Sequence, residues 1–283
     1  MSQSYSLDLR ARIVACISMA LRACRDALVQ IVEKKGPPAL CRTACSSGFS
    51  RVGGRACSVP PILVRFPMFD LTFSFDNGPE PDVTPSVLDV LAARNIQTTF
   101  FVIGSKLQDP ERRALSERAR EEGHWIGNHT YTHSVPLGER PEPDIAAHEI
   151  GRTEALIGDL AHPNRFFRPF GGGGNLDKRL LKASVVDYLV EGRYTCVLWN
   201  AVPRDWEDPD GWVERALDQC RSRAWTLMVL HDLPTGAMRH LERFLDRAGA
   251  AGACFRQDFP PDCLPIRSGE IVLPVEPYVS DRA

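Results

Sequence analysis

No run of about eighteen apolar residues occurs anywhere in the sequence, so no membrane-spanning helix is expected. The 9 cysteines include no Cys-x-x-Cys pair. Cys41 and Cys45 lie closest together, and no second close pair follows, which argues against a zinc knuckle. An odd count without paired spacing reads as free thiols in a reducing compartment. Net charge is almost absent as well: 34 Lys and Arg face 36 Asp and Glu, a formal −2. Neither nucleic acid nor a membrane surface is therefore expected as a partner. A short apolar run at 13–21 follows Arg10 and Arg12 but lacks a clean small-residue cleavage site, so a cytoplasmic location is expected.

What is there is unevenly distributed. Residues 1–65 hold ten Lys and Arg against three Asp and Glu, a formal +7, so residues 66–283 carry −9. Five cysteines (Cys16, Cys24, Cys41, Cys45, Cys57) also fall in that head. Residues 36–61 are rich in Gly, Pro, Ser, Cys and Arg and follow neither a helical nor a strand period. Such a stretch buries too little apolar surface to offset the entropy of ordering. Residues 1–65 therefore read as a poorly ordered or spurious leader, and 66–283 as the functional domain.

From residue 69 onward short apolar strands alternate with helical segments. Strands are expected at 69–75, 98–103, 125–127, 165–170, 195–199 and 226–230, where β-branched and aromatic residues cluster. Helices are expected at 85–94, 111–122, 145–160, 176–188, 212–221 and 238–250. This βα alternation argues for parallel strands with helices outside, closed into a barrel. Function in such barrels sits at the C-terminal strand ends. Asp76, His129, Arg168, Asp205 and His231 all lie at or just past those ends.

Two segments carry most of the chemistry. In His129-Thr130-Tyr131-Thr132-His133 the imidazoles are four residues apart, a spacing that puts both on one face of a helical turn and lets them chelate one metal. In Ser74-Phe75-Asp76-Asn77-Gly78-Pro79 a strand ends in two polar residues before Gly-Pro turns the chain away. Asp76 can then serve as a general base on a water, or merely close the strand in an Asx-turn.

Taken in order, these segments resemble the polysaccharide deacetylase family (NodB homology, carbohydrate esterase type). Its first motif, Thr-Phe-Asp-Asp-Gly-Pro, is matched by residues 74–79, and its second, His-Ser/Thr-x-x-His, by residues 129–133. Arg168-Pro169-Phe170-Gly171, Asp205-Trp206 and Leu230-His231-Asp232 match the remaining three in part. The resemblance spans about residues 68–250. It implies a distorted (β/α)7 barrel, a divalent metal such as zinc, and removal of acetyl groups from an N-acetylated carbohydrate, a chito-oligosaccharide or an envelope glycan. Carried over by position, Asp76 is the general base, His231 the general acid, and Arg168 orients Asp76, with Asp205 also in the catalytic set. Asn77, His129 and His133 hold the metal. Phe170, Trp206 and Leu230 contact substrate, with a main-chain N–H near Phe170 at the oxyanion.

The chain departs from the family at the site itself. Asn77 stands where the family has a metal-binding Asp, which removes one negative charge. Val202 stands where a second Asp precedes the Asp-Trp pair, so the partner of the acid histidine passes to Asp205 or Asp232. Four glycines, Gly171 to Gly174, follow the shortened third motif, either lining a groove or serving as a connector. The alternatives are a metal-free amidase of the allantoinase type acting on a small C–N substrate, and a non-catalytic carbohydrate-binding barrel. His124, His148, His162 and His240 fall outside the motifs and read as packing or surface residues.

Overall fold

The structure is a computed structural model that describes residues 69–280. The expectations for the leader at 1–65 therefore lie outside the described residues. β1 (Phe69–Asp76) runs beside β6 (Trp225–His231), in register from Asp70 opposite Trp225 to Asp76 opposite His231. Its other edge is shared. β7 (Ala253–Arg256) pairs with Phe69–Thr72, and β2 (Thr99–Val102) pairs with Ser74–Asp76. β3 (Trp125–Asn128), β4 (Phe166–Phe167) and β5 (Thr195–Cys196) follow in order, every pairing parallel. Just past β5 the chain reaches β6. Ala201 bridges Met228, and Val229 N–H donates to Ala201 O at 3.0 Å.

The seven parallel strands thus curl into the distorted barrel expected from the alternation. An antiparallel hairpin, β8 (Ile266–Arg267) and β9 (Glu270–Ile271), extends the sheet from β5. β7 and this hairpin were not legible, being segments of two to four residues, too short to show a period. β4 is shorter than expected, because Pro169 has no N–H with which to extend a ladder.

Among the described residues six α-helices flank the sheet: α1 (Thr84–Ala93), α2 (Pro110–Glu121), α3 (Arg152–Ile157), α4 (Ala183–Glu191), α5 (Trp212–Arg221) and α6 (Leu241–Ala250). α2 lies within a residue of the segment expected at 111–122, and its ends have local causes. Asp109 accepts a hydrogen bond from the Glu111 N–H at 2.9 Å, Pro110 occupies the first turn, and Gly123 at φ 90° follows the end. α5 buries Trp212, Val213, Ala216, Leu217 and Cys220, the stripe a 3.6-residue period requires. α4 starts later than expected. The main chain of Leu181 is engaged instead with Tyr278 and Ser280, N–H to O and O to N–H, both at 2.9 Å. The expected helix at 145–160 is a π-helical turn (Ala147–Gly151), α3 and a 3-10 turn (Gly158–Leu160). No helix among the described residues is long and apolar enough to cross a membrane.

Strand periodicity then decides what reaches the barrel interior. Phe69, Leu71, Phe73 and Phe75 of β1 join the cluster packed against α1, α5 and α6. Burial of each such phenylalanine contributes roughly 2 kcal/mol. The alternate residues Thr72, Ser74 and Asp76 belong to the opposite face and are buried too. Phe101, Phe166, Val197 and Leu227 fill the interior together with Phe259, Cys263 and Leu264. The four described cysteines, Cys196, Cys220, Cys254 and Cys263, are free thiols.

Candidate active site

Above that apolar plug the barrel interior is polar. Arg168, one residue past β4, is 0% exposed and so must find partners for every N–H. Its Nε and Nη2 donate to Val197 O and Leu198 O at 3.1 and 3.3 Å. Nη1 donates to Ser74 Oγ and, at 2.8 Å, to Asp76 Oδ1. The guanidinium also lies 4.0 Å from the centroid of Phe101. Asp76, itself 3% exposed, is thereby a buried carboxylate paired and held in one orientation.

Beside Asp76 lies His129, 3% exposed, whose Nε2 is 3.5 Å from Asp76 Oδ2. Its Nδ1 is 2.8 Å from Arg168 O. A carbonyl only accepts, so Nδ1 carries the proton and Nε2 keeps its lone pair. Burial drives the His129 pKa down to about 3. Burial, then the neighbouring His129, drives that of His133 down to about 2. The two rings are 4.7 Å apart, and Phe170 packs 4.1 Å from His133.

The helical-turn expectation for 129–133 does not hold. Thr130 and His133 have φ of 65° and 50°, so the segment is an irregular loop. What fixes this loop is Glu149, which the sequence reading missed. Its Oε2 accepts from the N–H groups of Tyr131 and Thr132 at 2.9 and 2.8 Å, and its Oε1 accepts from Thr132 Oγ1 at 2.8 Å. Glu149 is 4% exposed and sits in the π-helical turn, the kind of local irregularity found at functional sites. No sequence pattern singles out this carboxylate among those of the 145–160 segment.

Asn77 completes this wall. Its φ is 76°, a conformation that Asn tolerates better than most residues, and its main-chain O accepts from Lys106 Nζ at 2.6 Å. The side-chain Oδ1 is buried with no hydrogen-bond partner. An orphaned amide oxygen beside two neutral imidazoles fits a divalent cation that takes nitrogen and oxygen donors. Among the described residues no group of three or more His, Cys, Asp and Glu side chains could hold a metal, so the candidate set is two imidazoles and an amide. These donors carry no formal charge.

The opposite wall comes from the segment after β5 and the end of β6. Asp205, 0% exposed, accepts from the His231 main-chain N–H at 3.0 Å through Oδ2 and lies 2.9 Å from His231 Nδ1 through Oδ1. A carboxylate accepts, so Nδ1 carries a proton and Nε2 is left for the cleft. Burial opposes the charged imidazole, but the Asp205 hydrogen bond and the nearby carboxylates outweigh it and raise the pKa above the ordinary value. Asp205, rather than Asp232, is therefore the partner of this histidine. Trp206 stands edge-on, 4.7 Å from the His231 ring.

Asp232 faces away from His231 toward α1, where Thr84 Oγ1 donates to it at 2.5 Å. A Cβ on Gly78 would lie 2.2 Å from Asp232 Oδ2, so only glycine lets the first-motif turn pass there. Asp232 is fully buried and its Oδ1 has no partner. Burial pushes its pKa up to about 7.

One cavity of about 230 Å³ collects these groups. Asp76, Asn77, His129, His133, Phe170, Trp206 and His231 line it, with Gly171, Gly173 and Gly174 on the rim. Arg168 and Asp205 support it from behind. Leu230 does not reach it. It is 0% exposed in the cluster against the helices, because alternation turns Val229 and His231 inward and Leu230 outward. The glycine run lines the cleft: a Cβ on Gly171 would meet the Trp199 ring at 2.6 Å, and Trp199 Nε1 donates to Gly174 O at 3.1 Å. His124 and His162 are packing residues, the former accepting the Thr98 N–H at 3.1 Å and the latter stacked 4.4 Å from Phe166. His148 and His240 bond Asp144 and Asp210 in exposed pairs.

Known proteins share this sequence pattern. Residues 66–186 match the family model described as polysaccharide deacetylase. A chitooligosaccharide deacetylase of Rhizobium leguminosarum bv. phaseoli is 34% identical over 172 residues, 57% of this chain and 67% of the relative. A peptidoglycan-N-acetylglucosamine deacetylase of Bacillus cereus is 31% identical over 169 residues, 57% of this chain and 72% of the relative. The solved structure of a family 4 acetyl xylan esterase from Clostridium thermocellum in complex with a cobalt ion is 26% identical. Its TM-score is 0.54, with 66% of this chain and 87% of that chain covered. By its motifs, its barrel and these relatives, the chain belongs to the polysaccharide deacetylase family.

Proposed function

We propose that this protein hydrolyses the acetamide of an N-acetylated carbohydrate, releasing acetate and leaving the sugar amine. The observation that carries the reading is the convergence on one cavity of a held carboxylate (Asp76 with Arg168) and a carboxylate-backed imidazole (His231 with Asp205). Amide hydrolysis needs those two groups: a base for the attacking water and an acid for a leaving nitrogen that departs poorly unprotonated.

In this scheme Asp76 takes a proton from water as the water oxygen attacks the acetyl carbon. The Arg168 hydrogen bond fixes which carboxylate oxygen remains for that task. His231, kept protonated by Asp205, delivers a proton from Nε2 to the nitrogen as the C–N bond breaks. Trp206 and Phe170 wall the cleft and offer faces to a pyranose ring. Asn77, His129 and His133 are the residues that would hold a divalent cation, which when bound lowers the pKa of water and polarises the acetyl carbonyl. Because all three donors are neutral, we expect weaker binding than a carboxylate-containing site gives.

The test is acetate release from N-acetylated chito-oligosaccharides by the full chain, with metal content measured by elemental analysis. We expect about one metal per chain, lost in the His129→Ala/His133→Ala double variant, and acetate release lost in Asp76→Asn. Release of no acetate by the metal-loaded protein would overturn the proposal. Release at full rate without metal would favour the metal-free amidase reading, to which the neutral donor set points.

A further inference from the structure

The cleft does not end at its catalytic groups. Gly173, Gly174, Trp199 and Val202 line both the first cavity and a second depression of about 350 Å³. The chemistry of the lining changes across that ridge. The second depression presents Asn175, Asn200, Gln219, Arg204 and Arg223, with no Asp or Glu among its lining residues. It is a cationic, amide-rich patch on a segment, 66–283, whose formal charge is −9. Val202 continues the acid-free path back to the cleft.

The floor is rigidly built. Asn200 donates to Trp225 O at 3.2 Å and accepts from the Leu227 N–H at 2.8 Å, while Gln219 Nε2 donates to Val202 O at 3.0 Å. The two guanidiniums differ. Arg204 is paired with Glu207 at 3.2 Å. Arg223 donates to Ser222 Oγ at 2.9 Å and to Gln219 O at 3.4 Å, and it forms no ion pair with a carboxylate among the described residues. A guanidinium anchored by neutral groups and outside any ion pair among the described residues, with Asp262 sharing only the depression on its other side, is suited to receive a carboxylate through two parallel N–H donors.

We propose that this depression is a subsite for a carboxylate carried by the sugar next to the one being deacetylated. The preferred ligand is then an acidic N-acetylated oligosaccharide rather than a neutral one. The inference rests on the proposed deacetylase reading. An exposed ion pair contributes selectivity more than affinity, so the expected preference is modest.

Calorimetric titration of the full chain with two tetrasaccharides tests it: one of N-acetylglucosamine alone, the other alternating N-acetylglucosamine with glucuronic acid. Wild type is expected to bind the acidic ligand about fivefold more tightly at low salt, a ratio that falls toward one in Arg223→Gln and as salt is raised. Arg204→Gln, which removes an already paired cation, is expected to change the ratio less. Equal affinities in wild type, failure of the acidic ligand to bind, or an undiminished ratio in Arg223→Gln would overturn the subsite. Acetate release from the same two ligands separates this inference from its premise. A binding preference without release supports the subsite and overturns the reaction, whereas release from both without a preference does the reverse.

Discussion

The two walls of the cleft reach a defined geometry by different means. The Asp76 wall draws on β1, β3, β4 and the π-helical turn, and its order comes from a network: Arg168 ties Ser74, Asp76, Val197 and Leu198 together, and Glu149 ties down the loop that bears His133. The His231 wall is a dyad in which one carboxylate grips one residue by both its main chain and its ring. The walls also differ in charge. His129 and His133 are neutral donors, whereas His231 is tuned to keep its proton. A network of that kind spreads the effect of a substitution over several groups, and a dyad concentrates it in one.

The largest contrast is expected from Asp205→Asn. A neutral amide cannot hold the imidazolium, so kcat/KM for acetate release should fall on the order of 100-fold. Because His231 must be protonated to act, activity is lost as pH rises through its raised pKa. Removing the carboxylate lowers that pKa, so the alkaline limb of the pH profile should move to lower pH. A fall in rate with an unmoved limb would show that Asp205 serves the fold and not the proton.

Glu149→Ala should act through the opposite wall. With the Tyr131 and Thr132 N–H groups released, the His133 loop loses its template, and cobalt or zinc affinity measured by titration should drop roughly tenfold. The alkaline limb set by His231 should stay where it is. Glu149→Gln retains an acceptor for the two N–H groups and should recover most of the affinity. Equal losses in Ala and Gln would break the positioning argument.

An effect on stability rather than on activity concerns Asp232, the sequence neighbour of His231. Its folded pKa lies above its unfolded value, so the folded state holds the extra proton between about pH 4 and 7, and stability falls as pH rises through that window. Asp232→Asn, neutral throughout, should lack this loss. Its stability relative to wild type, from urea unfolding, should improve by about 2 kcal/mol between pH 5 and 7.5. Parallel pH profiles for the two proteins would argue that the carboxyl is already ionised at low pH.

Much of the fold was legible because its signals are local. The strand at 69–75, the helices at 111–122 and 212–221 and the polar strand ends all follow from residues a few positions apart. Part of the site was legible for the same reason: Asp76 and His231 end their strands, and Asn77, His129 and Arg168 lie one position past theirs, whereas Asp205 lies nine residues past its strand. The misses have a common cause. Motif matching puts Leu230 on the substrate side although strand period sets it opposite His231, and the four-residue spacing of the His pair implies a helical turn that the positive φ values of Thr130 and His133 forbid. Glu149 carried no signal at all, because its partners lie seventeen and eighteen residues away and are main-chain N–H groups.

The sequence by itself determined the parallel βα order, the place of Asp76 at a strand end and the ordered motifs, since segment patterns and strand-end positions are properties of neighbouring residues. Only the tertiary structure decided that Asp205 and not Asp232 backs His231, that Asn77 Oδ1 is left without a partner, and that the cleft runs on to Arg223. Those outcomes depend on which side chains from distant segments meet when the barrel closes, and burial then requires each polar group to be paired or to carry an unsatisfied cost.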